Sequence, residues 1–196
     1  LWLRSLDSPQ LQLLPGTDNA RTPVWSADGR GIGFFADNKL KVVSAAGGPP
    51  QVLCDSTGLG RGGPWNGDGV ILFGSETGPL RRVNAAGGAC DPVTRTEGGS
   101  VHGFPDFLPD GKRFLYTMTE GDEARRGIYL ASMDDPSGRR LFADPSSALF
   151  VAPSSATNPG HILFLRNSVL VAQAFDAGSL QAVGDVFQVA SEASFS

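Results

Sequence analysis

Pro23-Val24-Trp25-Ser26-Ala27-Asp28-Gly29 returns as Pro64-Trp65-Asn66-Gly67-Asp68-Gly69, and again as Pro105-Asp106-Phe107-Leu108-Pro109-Asp110-Gly111. Each copy sets an aromatic residue three positions before an Asp-Gly pair, and the aromatics stand 40 and 42 residues apart (Trp25 to Trp65, Trp65 to Phe107). A short apolar run follows each Asp-Gly: Ile32 to Phe35, Val70 to Phe73 and Phe114 to Tyr116. Strand-like runs come next at Leu40 to Val43, Leu80 to Val83 and Ile128 to Leu130. Two copies then share Ala-Ala-Gly-Gly, at Ala45 to Gly48 and Ala85 to Gly88, before a last short strand such as Gln51-Val52-Leu53 or Pro92-Val93-Thr94. Glycine tolerates positive φ, so Asp-Gly suits a tight turn between strands one and two, and Gly-Gly one between strands three and four.

Four antiparallel strands in about 40–45 residues is the period of a propeller blade. The fold predicted is therefore all-β, a β-propeller of four-stranded antiparallel blades, with about four and a half blades present as a partial or open ring. Residues 1–20 read as the end of a preceding blade. Residues 21–57, 58–97 and 98–146 are three blades. Residues 147–190 are a degenerate blade in which Asn158-Pro159-Gly160 replaces the Asp-Gly turn, and 191–196, with Ala193 to Phe195, start another. The repeat anchors are Trp25, Asp28, Gly29, Trp65, Asp68, Gly69, Phe107, Asp110 and Gly111. The three aromatics are expected to be buried between neighbouring blades, each contributing roughly 1.5–3 kcal/mol. An open ring leaves sheet edges, so self-association is expected of the isolated chain; a larger ring of roughly six to eight blades would remove them.

Composition narrows the partners. The 196 residues include Gly 26 and Pro 14, with hydrophobic residues at 40%, which is turn-rich yet core-forming. Net charge is −4 and the basic residues are scattered, so nucleic acid is not an expected partner. No stretch approaches the ~20 apolar residues of a membrane helix. The chain begins at Leu1 and reads as an excerpt of a longer protein. Cys54 and Cys90 fit no metal spacing and occupy non-equivalent places in their repeats; packing is expected of them rather than a bond.

Three residues open the innermost strands: Arg21 and Arg61, four positions before Trp25 and Trp65, and His102, five before Phe107. At the mouth of a central channel they would form a partly cationic ring able to attract an anionic ligand. The competing reading pairs each arginine with an Asp on a neighbouring blade and leaves His102 in an inter-blade loop. His161 is expected at a turn leading into a strand. Gly58-x-Gly60-x-x-Gly63 matches the dinucleotide fingerprint formally, but Pro64-Trp65 and a strand follow where a helix is required. Glu120-Gly121-Asp122-Glu123 and Asp134-Asp135 lack the alternating oxygen ligands of a calcium loop and read as solvated hairpin tips. No Gly-x-Ser-x-Gly elbow is present. No catalytic residue, metal or cofactor is expected.

Pro-x-Trp-Ser-x-Asp-Gly followed by an aliphatic-aromatic strand resembles the WD-repeat-like propeller of the bacterial Tol system. Ile32 to Asp37, Arg61 to Asn66, Phe107 to Tyr116, Arg126 to Leu130 and Val171 to Asp176 are similar to the C-terminal propellers of acidobacterial-type serine/threonine protein kinases. That resemblance implies an extracytoplasmic, periplasmic sensor domain of a membrane-anchored parent, binding a protein or small ligand, without enzymatic activity of its own. No kinase motif occurs in the chain. The alternative is the gating propeller of a prolyl-oligopeptidase-like peptidase with its catalytic domain elsewhere. A propeller lyase or glycosidase would need clustered carboxylates facing the channel, which the sequence does not display.

Overall fold

The computed structural model describes residues 1–56, 58, 60–155 and 158–190; the expected start of a further blade at Ala193 to Phe195 lies outside them. The chain is a β-propeller segment built of consecutive antiparallel meanders. First comes a two-stranded pair, β1 (Trp2–Arg4) and β2 (Leu11–Leu13). Blade 1 is β3 (Arg21–Trp25), β4 (Gly31–Ala36), β5 (Lys39–Ser44) and β6 (Gln51–Asp55). Blade 2 is β7 (Val70–Phe73), β8 (Arg81–Asn84) and β9 (Asp91–Pro92). Blade 3 is β10 (Val101–Phe107), β11 (Arg113–Glu120), β12 (Gly127–Ser132) and β13 (Arg139–Phe142). Blade 4 is β14 (Ala148–Val151), β15 (Gly160–Arg166), β16 (Val169–Asp176) and β17 (Gln181–Ala190). The helical content of the described residues is one 3-10 turn, Glu123–Arg125, in the tip between β11 and β12.

Blade 2 departs from the expected four strands. Its innermost segment is reduced to a single bridge, Trp65 to Ile71. Gly60, Gly62, Gly63 and Pro64 explain the loss: glycine forfeits strand-favouring side-chain packing and proline has no N–H for the ladder. The segment still docks, with the Arg61 N–H donating to the Gly74 carbonyl at 3.0 Å and Leu72 N–H to the Pro64 carbonyl at 3.1 Å.

Period-two alternation drives the stacking. Successive strand residues point to opposite faces, and a blade packed between two others is covered on both, so its second strand carries a central run of apolar residues on both faces. Phe34 is buried toward the β1–β2 pair with Ile32 and Val43, while Phe35 joins Leu40, Ile71 and Phe73 between blades 1 and 2. Leu72 packs with Phe114 and Tyr116 between blades 2 and 3, and Leu115 with Ile162 and Phe164 between blades 3 and 4. The core is thus a series of slabs between sheets.

The turns work as their residues dictate. Gly29, Gly69 and Gly111 take φ of +69°, +79° and +65°. Asp28 accepts from the Arg30 N–H at 3.0 Å, and Asp110 from Lys112 and Arg113 at 2.9 and 2.8 Å. In blade 2 Asn66 takes that role, accepting from Asp68 and Val70; its amide also donates 2.8 Å to the Gly111 carbonyl of the next blade.

Two expectations need correction. Trp65 and Phe107 are partly buried against the preceding blade's core, but Trp25 is 50% exposed. The Trp65 ring lies on Gly31 of blade 1, where a Cβ would stand 2.8 Å from its Cη2. Trp25 would need the same second strand in the preceding sheet, and there the described residues hold only β1 and β2, the outer pair. Cys54 and Cys90 form a disulfide, Cα–Cα 6.3 Å. Cys54 is the penultimate residue of the outermost strand of blade 1, and Cys90 immediately precedes that of blade 2. Places that are not equivalent within a blade are neighbours across the junction between two.

Candidate functional site

The innermost strands share a distortion. Thr22, Gly62 and Phe104, each three residues before its aromatic anchor, all adopt left-handed φ of 49°, 78° and 52°. The ladders of β3 with β4 and β10 with β11 slip at these points, between Arg21 and Val24 and between Gly103 and Asp106. Such bulges turn the strand and redirect its side chains. They also stitch the inner strands to one another: Thr22 Oγ1 donates to the Gly60 carbonyl at 3.3 Å, and Phe104 N–H to the Arg61 carbonyl at 2.7 Å.

Arg21, Arg61 and His102 sit on the entrance side of these bulges, and the structure treats them differently. Arg21, the first residue of β3, pairs with Phe35 in the ladder, and its guanidinium makes no hydrogen bond or ion pair among the described residues. It borders a hollow of about 150 Å³ with Asn19, Phe35, Asp37 and Asn38. The Arg61 guanidinium donates to Thr119 Oγ1 at 2.9 Å and to Glu120 Oε1 at 3.3 Å, both on blade 3. Its stem crosses Gly103, where a Cβ would come within 3.0 Å. The arginine is thus paired with an acid of the neighbouring blade, here a glutamate.

His102 lies within β10, not in a loop, and is 2% exposed. Its Nδ1 pairs with Thr94 Oγ1 at 2.8 Å, its ring meets Tyr116 at 5.0 Å, and Tyr116 stacks on Tyr129 at 5.3 Å. Burial, helped by the Arg125 charge, lowers its pKa to about 4. The imidazole is therefore neutral at pH 7 and adds no positive charge to the rim. Its Nε2 is buried without a partner among the described residues. His161 is the second residue of β15, just past the turn.

One residue escaped the sequence reading. Asp106 occupies the inner-strand position held by Val24 and Pro64 in the other repeats, and its carboxylate accepts the Phe150 N–H of blade 4 at 2.7 Å. Burial raises its pKa to about 6 against the opposing pull of that hydrogen bond. A carboxyl at a position otherwise apolar in the repeat is the signal that could have found it.

The acidic tips behave as solvated turns. Asp122 caps the 3-10 turn through Ala124 N–H, and Asp135 accepts from Ser137 N–H at 3.2 Å and Ser137 Oγ at 2.6 Å. Among the described residues no group of three or more His, Cys, Asp or Glu comes together as a metal site. No helix among them is long and apolar enough to cross a membrane. Gly58, Gly60 and Gly63 lie in loop with no helix following.

No family model matches the chain, and no curated protein does. Solved structures match it by fold. TolB from Acinetobacter baumannii superposes with a TM-score of 0.70 at 17% identity, over 97% of this chain and 48% of that one. An oligogalacturonate lyase in complex with manganese gives 0.61 at 14% identity, over 83% of this chain and 52% of that one. The chain spans about half the length of each. At these identities the likeness is one of fold.

Proposed function

We propose that this propeller is a non-catalytic binding module working outside the reducing cytosol. The observation that carries the reading is the Cys54–Cys90 disulfide across the junction of blades 1 and 2. Disulfides persist in oxidising compartments and are rare where thioredoxin and glutathione keep thiols reduced. Stacked blades make a rigid frame, and the linkers that enter the inner strands are displayed on it, as suits recognition. The Arg21 guanidinium has no ion-pair partner among the described residues, whereas Arg61 is matched by Glu120 and His102 is neutral. The ligand class favoured is an anionic small molecule or an acidic segment of a protein. On the likeness to kinase-linked propellers, we propose that the parent is a bacterial receptor-like serine/threonine kinase.

The test has two arms. Non-reducing peptide mapping of protein recovered from an oxidising compartment should yield Cys54 and Cys90 in one linked fragment; two free thiols would overturn the compartment reading. Calorimetric titration at low salt with a short poly-aspartate peptide should show binding that Arg21→Ala weakens at least ten-fold and Arg61→Ala changes little. Equal effects of the two variants, or none, would remove the rim from the function. Kinase motifs and an apolar span of ~20 residues in the parent reading frame upstream of Leu1 would support the receptor reading, and a Gly-x-Ser-x-Gly hydrolase domain downstream would contradict it.

A further inference from the structure

The register of blade 3 sets two arginines on one face. Arg113 of β11 stands opposite Ser132 of β12, and Leu130 of β12 stands opposite Arg139 of β13. Leu130 and Ser132, two apart on one strand, point the same way, so both arginines share their face. It is the face toward blade 4, because Leu130 and its partner Leu115 are buried with Ile162 and Phe164. Both guanidiniums reach across the junction to the turn between β16 and β17. Arg113 Nη1 donates to the Ala177 carbonyl at 3.2 Å, and Arg139 Nη2 to the Leu180 carbonyl at 2.7 Å. Leu180 is held at a left-handed φ of 61°, a costly conformation for a bulky residue that persists only where its surroundings enforce it.

A hollow of about 270 Å³ is lined by these two arginines, by the tip between β12 and β13 and by Leu180. It lies at the opposite end of blade 3 from His102, and so away from the rim. The turn beside it joins Asp176 to Gln181, at the end of β17 remote from Ala190. Charges of both signs line the hollow without meeting. Arg113 Nε is 3.4 Å from Asp110, but Arg139 has no ion-pair partner among the described residues, and neither has Asp135. One Asp135 oxygen accepts from the Ser137 hydroxyl and N–H, which hold its pKa below the ordinary carboxylate value; the other oxygen has no partner among the described residues. Ser132 Oγ accepts from the Asp135 N–H at 2.9 Å and keeps its own proton to donate. Both guanidiniums likewise keep N–H donors that these contacts do not use.

We propose that this hollow between blades 3 and 4 binds a small zwitterion of the α-amino-acid type. Arg113, Arg139 and the Ser132 hydroxyl donate to its carboxylate, its ammonium donates to Asp135, and Leu130 and Leu180 form the wall for an aliphatic side chain. Guanidinium–carboxylate hydrogen bonds are charge-assisted and directional, which fixes the ligand's orientation. A simple anion would be opposed by Asp135, and a simple cation by two arginines; a ligand carrying both charges matches both. The site is separate from the rim and does not depend on the reading given to Arg21.

Isothermal titration calorimetry of the whole chain at low salt tests this with L-leucine, with isocaproate, which lacks the ammonium, and with isoamylamine, which lacks the carboxylate. L-leucine should bind at a single site, and each half-ligand roughly ten-fold or more weakly, the loss expected when charge-assisted hydrogen bonds go. Arg139→Gln should weaken L-leucine by a similar factor. Asp135→Asn, which keeps an oxygen for Ser137, should weaken L-leucine likewise yet leave isocaproate unchanged or tighter. Arg21→Ala, on the rim, should alter none of these affinities. Arg139 and Asp135 are both exposed, and an unchanged circular dichroism spectrum verifies that each variant keeps its blades. Absence of saturable L-leucine binding, isocaproate binding as tightly as L-leucine, L-leucine affinity that survives Arg139→Gln or Asp135→Asn, or an Asp135→Asn loss shared equally by isocaproate would each overturn the proposal.

Discussion

Replacing Asp106 with Asn should strengthen the fold at neutral pH and make it acid-labile. Asp106 has its folded pKa raised from 3.8 to about 6 by burial. A raised carboxyl is protonated more readily in the folded state, so its unfavourable charge weakens the fold above about pH 6, and that cost disappears as pH falls toward 4. His102 works the other way. Its folded pKa is lowered from 6.5 to about 4, so the stability it contributes is full above 6.5 and drains away on acidification. At about 1.4 kcal/mol per tenfold change in proton affinity, each group amounts to about 3 kcal/mol at most, with opposite sign over the same interval. Partial exposure of Asp106 reduces its share to about 2 kcal/mol. The wild-type protein should therefore change little between pH 4 and 6.5 on account of this pair. Asp106→Asn keeps an oxygen to accept from Phe150 N–H while removing the charge. Urea unfolding should find the variant about 2 kcal/mol more stable than wild type at pH 7.5, with the gap closing by pH 4. Destabilisation at pH 7.5, or a stability difference independent of pH, would show that Asp106 is not the desolvated carboxyl described.

Three further outcomes follow from the packing. Reducing the Cys54–Cys90 bond, which closes a 36-residue separation, should lower stability by about 3.8 kcal/mol on chain-entropy grounds, read as a shift in the urea midpoint with and without reductant. Gly31→Val places atoms where Trp65 lies 2.8 Å from a bare Cβ and should cost about 1–3 kcal/mol, much of it recovered when Trp65 is shortened to Leu. Arg61→Ala breaks a half-exposed ion pair with Glu120 and should cost under about 1 kcal/mol, less at high salt, as thermal melts at two ionic strengths would show.

The blade architecture was legible because its determinants are local. Asp-Gly and Gly-Gly turns with positive φ and a recurring aromatic fix strand boundaries within one repeat, and the fold reproduces the Asp-Gly turn in blades 1 to 3 and the Gly-Gly turn in blades 1 and 2. What stayed hidden depends on relations between repeats. Cys54 and Cys90 look unrelated when blades are aligned, yet the outermost strands of adjacent blades lie side by side and bring the end of one to the start of the next. Trp25 stands three residues before Asp-Gly just as Trp65 does, but its exposure is decided by the absence of a second strand opposite it among the described residues. The left-handed positions at Thr22 and Phe104 carry no glycine to announce them; only Gly62 does. His102 followed Gly98-Gly99-Ser100 and read as loop, whereas β10 begins at Val101 and takes it inside. Asp106 sat in plain view within Pro-Asp-Phe, and its meaning required knowing that the inner strand of blade 4 brings Phe150 N–H to it.

Blade-on-blade wedging by the anchor aromatic is tested most directly by proton contacts in solution. A nuclear Overhauser spectrum of the labelled chain should show strong cross-peaks from the outer ring protons of Trp65 to the α-protons of Gly31, some 34 residues earlier in the chain and one blade away. A Trp65 ring whose contacts are confined to its own strand neighbours, with none to Gly31, would contradict the stacked-blade structure outright.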